Sequence, residues 1–474
     1  MSLRIGFVAI IRPIFKGDSP AAALDSLEGL ERLAANNGFE VVLPELPTGP
    51  VHAATGSPLP RFAVHDQASA QLAADQLAAQ DLDLLLVQLT TFATGETPAP
   101  FLRLPLPLGL WALPEEAGAD RTTGPLPLNS LCGLNMTLSF LDRPPVEREM
   151  PAKWFYGSAD SDWFRERLTP TLTALRGLRA LRGARILQIG GTAPHFYGLE
   201  QEPRLPGVTV ERMELTALFE RVARVPSAAT EELAASWREG SAVTEEQLRR
   251  SAALDLALGR IVSESEYDAI ALRCWPELPD ETGTMACATL ARLGDGAVAA
   301  ACEGDVMGAL SMLALQGMSG EAALLLDLSD VDPERGALFW HCGNGPLSWS
   351  AGATRLAPHF NRDGVGTVRD MIVRPGPATG FRFTAGAERA LLFSGEFRDV
   401  TFEDGGYDGV RGWLSDIRWG KDPVTPRGFV ANVLDHRLPH HFAFGQSDLT
   451  EGALELCSWL GVEVLEPVPA RDTL

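Results

Sequence analysis

Two hydrophobic rhythms run along this chain, and their order predicts its architecture. In the first part, the unbroken apolar run RIGFVAII (residues 4–11) reads as a strand covered on both faces. SPAAALDSLEGLERLAANNG follows with helical spacing and a closing Gly38. FEVVLPE, HDQASAQLAADQLAAQ and LDLLLVQLT continue as strand, helix and strand. The Pro-rich TPAPFLRLPLPLGLWALP adds a short strand among turns, and LNSLCGLNMTLSFL a turn and a helix. DRPPVEREMPAKWFYGSADSDWF reads as a linker. A second alternating part begins at ARILQIGG and GVTVERME, followed by a long acidic helical stretch over 230–264. Three strands in series then follow: YDAIALRCWPE, GAVAAACEGD and EAALLLDLSD, with a helix after the second closed by Gly317. From ALFWHCGNGP onward the alternation gives way to β-type stretches (GFRFTAG, RALLFSGEF, RGFVANVL) and one closing helix, DLTEGALELCSWLG. The prediction is an α/β protein with two Rossmann-like α/β domains built on parallel sheets, residues 1–160 and 161–335, followed by a β-rich C-terminal domain, 336–474.

The length of 474 residues agrees with two or three domains. A net charge of −22 argues against nucleic acid and anionic membranes, which need basic patches. The six cysteines are scattered without a CxxC pair, so reduced thiols in a cytoplasmic protein are expected. No apolar run approaches the roughly 18 residues of a membrane span, and the first residues lack a signal-peptide cleavage site. Gly190-Gly191 follows a strand, but GGTAPHFYG is not G-x-G-x-x-G, so a nicotinamide cofactor is not expected.

Chemistry concentrates at strand ends in the second half. IALRCWPE ends in Arg273, Trp275 and Glu277, AVAAACEGD in Glu303 and Asp305, AALLLDLSD in Asp327, and ALFWHCGNG contains His341. Taken singly each has a plain explanation: Glu303 as an acid at a helix N-terminus, Asp305 as the helix N-cap, Asp327 as a turn cap, His341 as a structural histidine. Taken together, neighbouring parallel strands bring Glu303 and Asp327 side by side. Two carboxylates that close repel each other unless a divalent cation sits between them. Oxygen ligands with an imidazole suit Mg²⁺ or Mn²⁺, and LPHHFAF offers the adjacent pair His440 and His441.

The segment CWPE…MACATLARLGDGAVAAACEGDVMGALSM, the interval from Glu303 to Asp327, and LPHHFAFGQSDL resemble the L-fucose isomerase and L-arabinose isomerase superfamily, in its fucose-isomerase-like branch. The resemblance implies a metal-dependent aldose–ketose isomerase of an open-chain sugar, with Mn²⁺ or another divalent cation such as Mg²⁺ or Co²⁺. It implies Glu303, Asp327 and His441 as ligands, with His440 the less favoured alternative. The two acids also move the proton through an ene-diol, in an order left open. Arg12, Trp275, His341 and His440 are candidates for holding the sugar. A homo-oligomer, trimer or hexamer, is implied, with the N-terminal part helping to close a neighbour's site. A sugar-binding protein without catalysis and a metal-dependent epimerase remain alternatives, because pocket shape sets the outcome.

Overall fold

The structure, a computed structural model, describes residues 2–115, 126–238, 240–296, 298–362, 365–404 and 406–468. Ala297, in the predicted strand GAVAAACEGD, lies outside the described residues. The chain divides into two compact units, Met1–Leu175 and Arg176–Leu474. Among the described residues no helix is long and apolar enough to cross a membrane.

The first unit is built on a parallel sheet of β1 (Leu3–Ile10), β2 (Phe39–Val42), β3 (Ala63–Val64), β4 (Leu84–Leu89), β5 (Leu108–Ala112) and β6 (Ala152–Tyr156). The order is β2-β1-β4-β5-β6, with β3 also paired to β1. Every residue of β4 is buried, as a strand covered on both faces requires. The helix Ser19–Asn37 starts where Asp18 accepts from the Ala21 N–H at 3.1 Å and stops at Gly38 in the left-handed region, φ 69°. AKWFY, expected within a linker, is instead β6, paired parallel to β5. Its half-buried aromatic residues gain cover by joining the sheet edge.

The second unit opens with a parallel sheet of β7 (Arg185–Ile189), β8 (Thr209–Met213), β9 (Ala269–Leu272) and β10 (Ala299–Ala301), ordered β10-β9-β7-β8. The chain leaves β7 for β8 on one side and returns to β9 on the other. The ends of β7 and β9 therefore border the crevice in which open α/β sheets bind ligands. The helical stretch expected over 230–264 is two helices, Ser227–Ser236 and Glu245–Ser265. Between them Gly240 is left-handed (φ 72°), and Thr244 forms a capping box with Gln247 that starts the second helix. The helix after β10 runs Val306–Ser319 and ends at Gly320 rather than Gly317. Gly317 is internal, where a Cβ would lie 2.5 Å from that of Ala180.

The remaining strands are β11 (Leu324–Asp332), β12 (Gly336–His341), β13 (Ser350–Ala357), β14 (Val368–Val373), β15 (Gly376–Thr384), β16 (Arg389–Phe397), β17 (Val410–Trp419), β18 (Asp422–Pro423), β19 (His441–Gln446) and β20 (Glu463–Val464). Six of them pair antiparallel in a ring, β17-β12-β11-β19-β15-β16, and the β16–β17 pairing closes it. Closure removes the sheet edges, and the ring has an apolar interior. Leu324, Leu326, Phe339, Phe393, Phe442 and Phe444 meet there. Phe339 stacks on Phe393 at 5.7 Å and meets Phe444 edge-on at 4.7 Å.

The placement of β11 corrects one expectation. The succession of strands predicts a third parallel strand beside β10, but β11 pairs antiparallel with β12 and β19. The alternation Leu324-Leu326 against Leu325-Asp327 gives β11 an apolar side for the barrel interior and a second side that carries the acid. Glu303 and Asp327 thus come from different sheets. If the interior packs as tightly as these ring distances indicate, Phe339→Ala should lower unfolding free energy by about 3–5 kcal/mol in urea titration. A loss below about 1 kcal/mol would mean that the barrel interior relaxes around the missing ring.

Candidate active site

Glu303 sits on a turn that few residues adopt. Both Glu303 (φ 59°) and Gly304 (φ 73°) are left-handed, and for a non-glycine residue this conformation costs energy that the surroundings must supply. They supply it through the backbone. Gly304 N–H donates to Leu272 O at 3.0 Å, Ala193 N–H to Glu303 O at 2.9 Å, and Asp305 N–H to Cys302 O at 3.0 Å. Gln188 Nε2 donates to Gly304 O at 3.0 Å. A Cβ on Gly304 would lie 2.0 Å from the Gly191 carbonyl oxygen. The paired glycines after β7 therefore serve close approach between two loops.

Asp305 is the N-cap of the next helix, accepting from Gly308 N–H at 2.8 Å, and this much agrees with the plain sequence reading. It is also fully buried and paired with an equally buried Arg382, with N–O distances of 2.5 and 3.0 Å. Burial pushes its carboxyl upward, but the Arg382 guanidinium and His441 outweigh this and hold it well below the usual carboxylate range. An ionised carboxylate can only accept, so the 2.9 Å contact with His441 Nδ1 places the imidazole proton on Nδ1. In the neutral ring the other nitrogen, Nε2, then presents a lone pair.

That lone pair faces two acids. His441 Nε2 lies 3.5 Å from Glu303 Oε2 and 3.6 Å from Asp327 Oδ1. Asp327 stands directly opposite His441 in the β11–β19 register. Its Oδ1 is buried and makes no hydrogen bond. An unpartnered buried carboxylate oxygen near an imidazole nitrogen that a second carboxylate also approaches is a donor set suited to a hard divalent cation. Each of the two acids predicted from the sequence thus approaches His441 Nε2, one from the loop after β10 and one from β11, and not through adjacent parallel strands.

The other candidates lie as follows. His440 Nε2 is 3.1 Å from Glu303 Oε2, and its ring is 5.7 Å from Phe196. Burial pulls His440 down, yet the Glu303 carboxylate leaves it above the ordinary imidazole value; burial raises Glu303, and His440 and His441 leave it below. His341 is 2% exposed, with Nδ1 accepting from Cys342 N–H at 2.8 Å and Nε2 3.1 Å from Cys302 Sγ. Trp275 is half-buried after β9 under the Arg362 guanidinium, 4.3 Å from its ring centre. Arg12 belongs to the first unit, on the loop after β1, where its N–H donates to Thr91 Oγ1 at 2.8 Å. Sequence reasoning missed Arg382. The signal was available in GFRFT, where one charge interrupts a strand whose neighbours Phe381 and Phe383 are wholly buried.

The geometry defines a protein with an acid–imidazole centre at the strand ends, and comparison with known proteins supplies its class. No family model matches the chain. It is 30% identical over 407 residues to the sulfoquinovose isomerase of Alkalicoccus urumqiensis, spanning 81% of this chain and 86% of that protein. The sulfoquinovose isomerases of Priestia aryabhattai and Priestia megaterium are each 29% identical over 415 residues, 82% of this chain and 86% of theirs. The chain is thus an aldose–ketose sugar isomerase, an intramolecular oxidoreductase. It belongs to the sulfoquinovose isomerase family, and these relatives carry the name of neither fucose nor arabinose.

Removing one partner of the buried pair should be costly. Asp305→Asn leaves the Arg382 charge unpaired and should lower stability by about 3–5 kcal/mol in urea unfolding. Asp305→Asn with Arg382→Met should recover part of that loss. A single variant as stable as the parent would show that Asp305 does not carry the charge.

Proposed function

We propose that this isomerase converts sulfoquinovose, an aldose bearing a sulfonate, into its 2-ketose, with a divalent cation, Mn²⁺ in the first place, held by Glu303, Asp327 and His441. The reading is carried by the approach of two carboxylate oxygens, Glu303 Oε2 and Asp327 Oδ1, to 3.5 and 3.6 Å from one imidazole nitrogen, His441 Nε2. The substrate is supported by the name that the relatives share over most of this chain and of theirs.

When bound, the cation supplies Lewis-acid polarisation of the sugar's carbonyl and neighbouring hydroxyl oxygens. The remaining work falls to the side chains. Asp305 fixes the His441 tautomer, so that this ring ligates without competing for the sugar's proton. Glu303 and Asp327 are assigned to removing the proton from C2 and returning one at C1 through an ene-diol. Either can start the reaction. His440, hydrogen-bonded to Glu303, is placed to orient that carboxylate and meet a sugar hydroxyl. Trp275 is assigned to substrate contact, Arg12 to closing a neighbouring subunit's site, and His341 to support beneath His441, 5.4 Å away ring to ring. A cytoplasmic homo-oligomer, trimer or hexamer, belongs to the same proposal, and light scattering reads its assembly.

The test uses metal-stripped protein with sulfoquinovose and, in parallel, the unsulfonated aldose. Activity should vanish with chelator and return with Mn²⁺ more fully than with Ca²⁺, and deuterium from D₂O should enter the product at C1. Glu303→Gln should lower turnover by at least about 10²-fold while the protein stays folded. Undiminished turnover after chelation would overturn the cation. A preference for the unsulfonated sugar would overturn the substrate.

A further inference from the structure

Behind His341 lies a second group of ligand-type side chains that the isomerase chemistry does not use. Cys287 is the first residue of the helix Cys287–Asp295, Cys342 directly follows β12, and His359 follows β13. One donor atom from each lies within 4.8 Å of the others. The two sulfurs are 3.4 Å apart, and all six cysteines of the chain are free thiols. Cys287 and His359 are buried, at 1% and 6% exposure. Met285, Val368, Ala357 and Val365 surround the group with apolar surface.

Burial holds His359 down to about 4, so its ring is neutral and a ligand rather than a cation. Its Nδ1 accepts a long 3.2 Å bond from Asn361 N–H, which among the described residues is the bond that ligation through that atom must exchange. The Cys287 thiol and burial push Cys342 well above the ordinary thiol value. Two thiols packed against each other in apolar surroundings are thus held protonated unless a soft cation replaces their protons. In a tetrahedral site with metal–sulfur distances of about 2.3 Å, two sulfurs stand roughly 3.8 Å apart. The observed separation needs only a few tenths of an ångström of movement. A cavity of about 240 Å³ reaches the group at Cys342, one of its lining residues, and leaves room there for a water as fourth ligand.

We propose that Cys287, Cys342 and His359 form a second metal site, separate from the Glu303–Asp327–His441 group, that takes one thiophilic ion of the zinc class. Binding releases the two thiol protons to solvent and changes no oxidation state. Its role is to pin the end of β12 to the helix that begins at Cys287. Cys342 Sγ is 3.2 Å from His341 Nδ1, so the same ion steadies the ring that lies beneath His441.

The experiment titrates the reduced, metal-stripped full-length protein with Cd²⁺ in the presence of Mn²⁺ and follows the sulfur-to-cadmium charge-transfer absorbance. One equivalent of Cd²⁺ should give a saturating band. That band should fall by half or more in Cys287→Ser and in Cys342→Ser, and persist in Cys302→Ser and in Asp327→Asn. His359→Gln keeps both thiols and should retain the band with at least about tenfold weaker binding, which preserves the test if a cysteine variant fails to fold. Zn²⁺ should raise the thermal midpoint of the parent but not of Cys342→Ser. The proposal is overturned by absence of the band, by its loss in Cys302→Ser alone, or by joint disappearance of the Cys287 and Cys342 thiols into a disulfide without metal.

Discussion

Asp305 keeps a full negative charge at a place with no solvent, and the acid–imidazole centre depends on how that charge is held. Taking an ion out of water costs several kcal/mol even after the protein relaxes. Three donors offset this: the forked Arg382 guanidinium, the Gly308 N–H in the first turn of a helix whose dipole favours an anion, and the His441 Nδ1–H. Each comes from a different element, namely β15, the helix Val306–Ser319 and β19. The carboxylate therefore ties the loop after the parallel sheet to two barrel strands. It also leaves His441 one way to present its ring.

The barrel sets the rest by register. Asp327 and His441 face each other because β11 and β19 pair as Leu326–Phe442 and Asp327–His441. A slip of one residue on either strand would turn an acid or an imidazole into the cluster of Phe339, Phe393, Phe442 and Phe444. The aromatic interior thus does more than stabilise. It makes the alternative registers expensive, and so fixes two members of the centre to the width of one strand pair. Glu303 needs a different device, because it comes from a loop. Its left-handed backbone is held by hydrogen bonds to Leu272 and Ala193 and by glycines that let two backbones touch.

What the sequence disclosed follows the range of each interaction. The alternating strands and helices of the first part, the helix end at Gly38, and Glu303 and Asp305 just after a strand are local signals, and they hold in the structure, whereas Asp327 lies inside β11, which runs on to Asp332. The partner of β11 is not a local property. EAALLLDLSD satisfies a buried parallel strand and a barrel strand equally well, and only closure through β16 and β17, far along the chain, decides between them. For the same reason Asp305 was legible as a cap but not as half of a buried pair. Its cap bond spans three residues, whereas Arg382 is 77 residues away. AKWFY misled in another way, since the Pro-rich residues before it mark a turn and hide the strand that follows.

Charge balance gives the proposed site its sense. Asp305 and Arg382 cancel each other. What remains at the centre is the pair of carboxylates, Glu303 and Asp327, of which Glu303 has the His440 hydrogen bond while Asp327 Oδ1 has none. The proposed doubly charged cation would neutralise that pair, and a chain with net charge −22 enriches cations around itself. The same net charge works against an anionic sugar at long range. Screening limits that repulsion to about 8–10 Å at physiological salt. Recognition of a sulfonate in this reading must therefore come from short contacts inside the crevice, and the protein's overall field gives it no help.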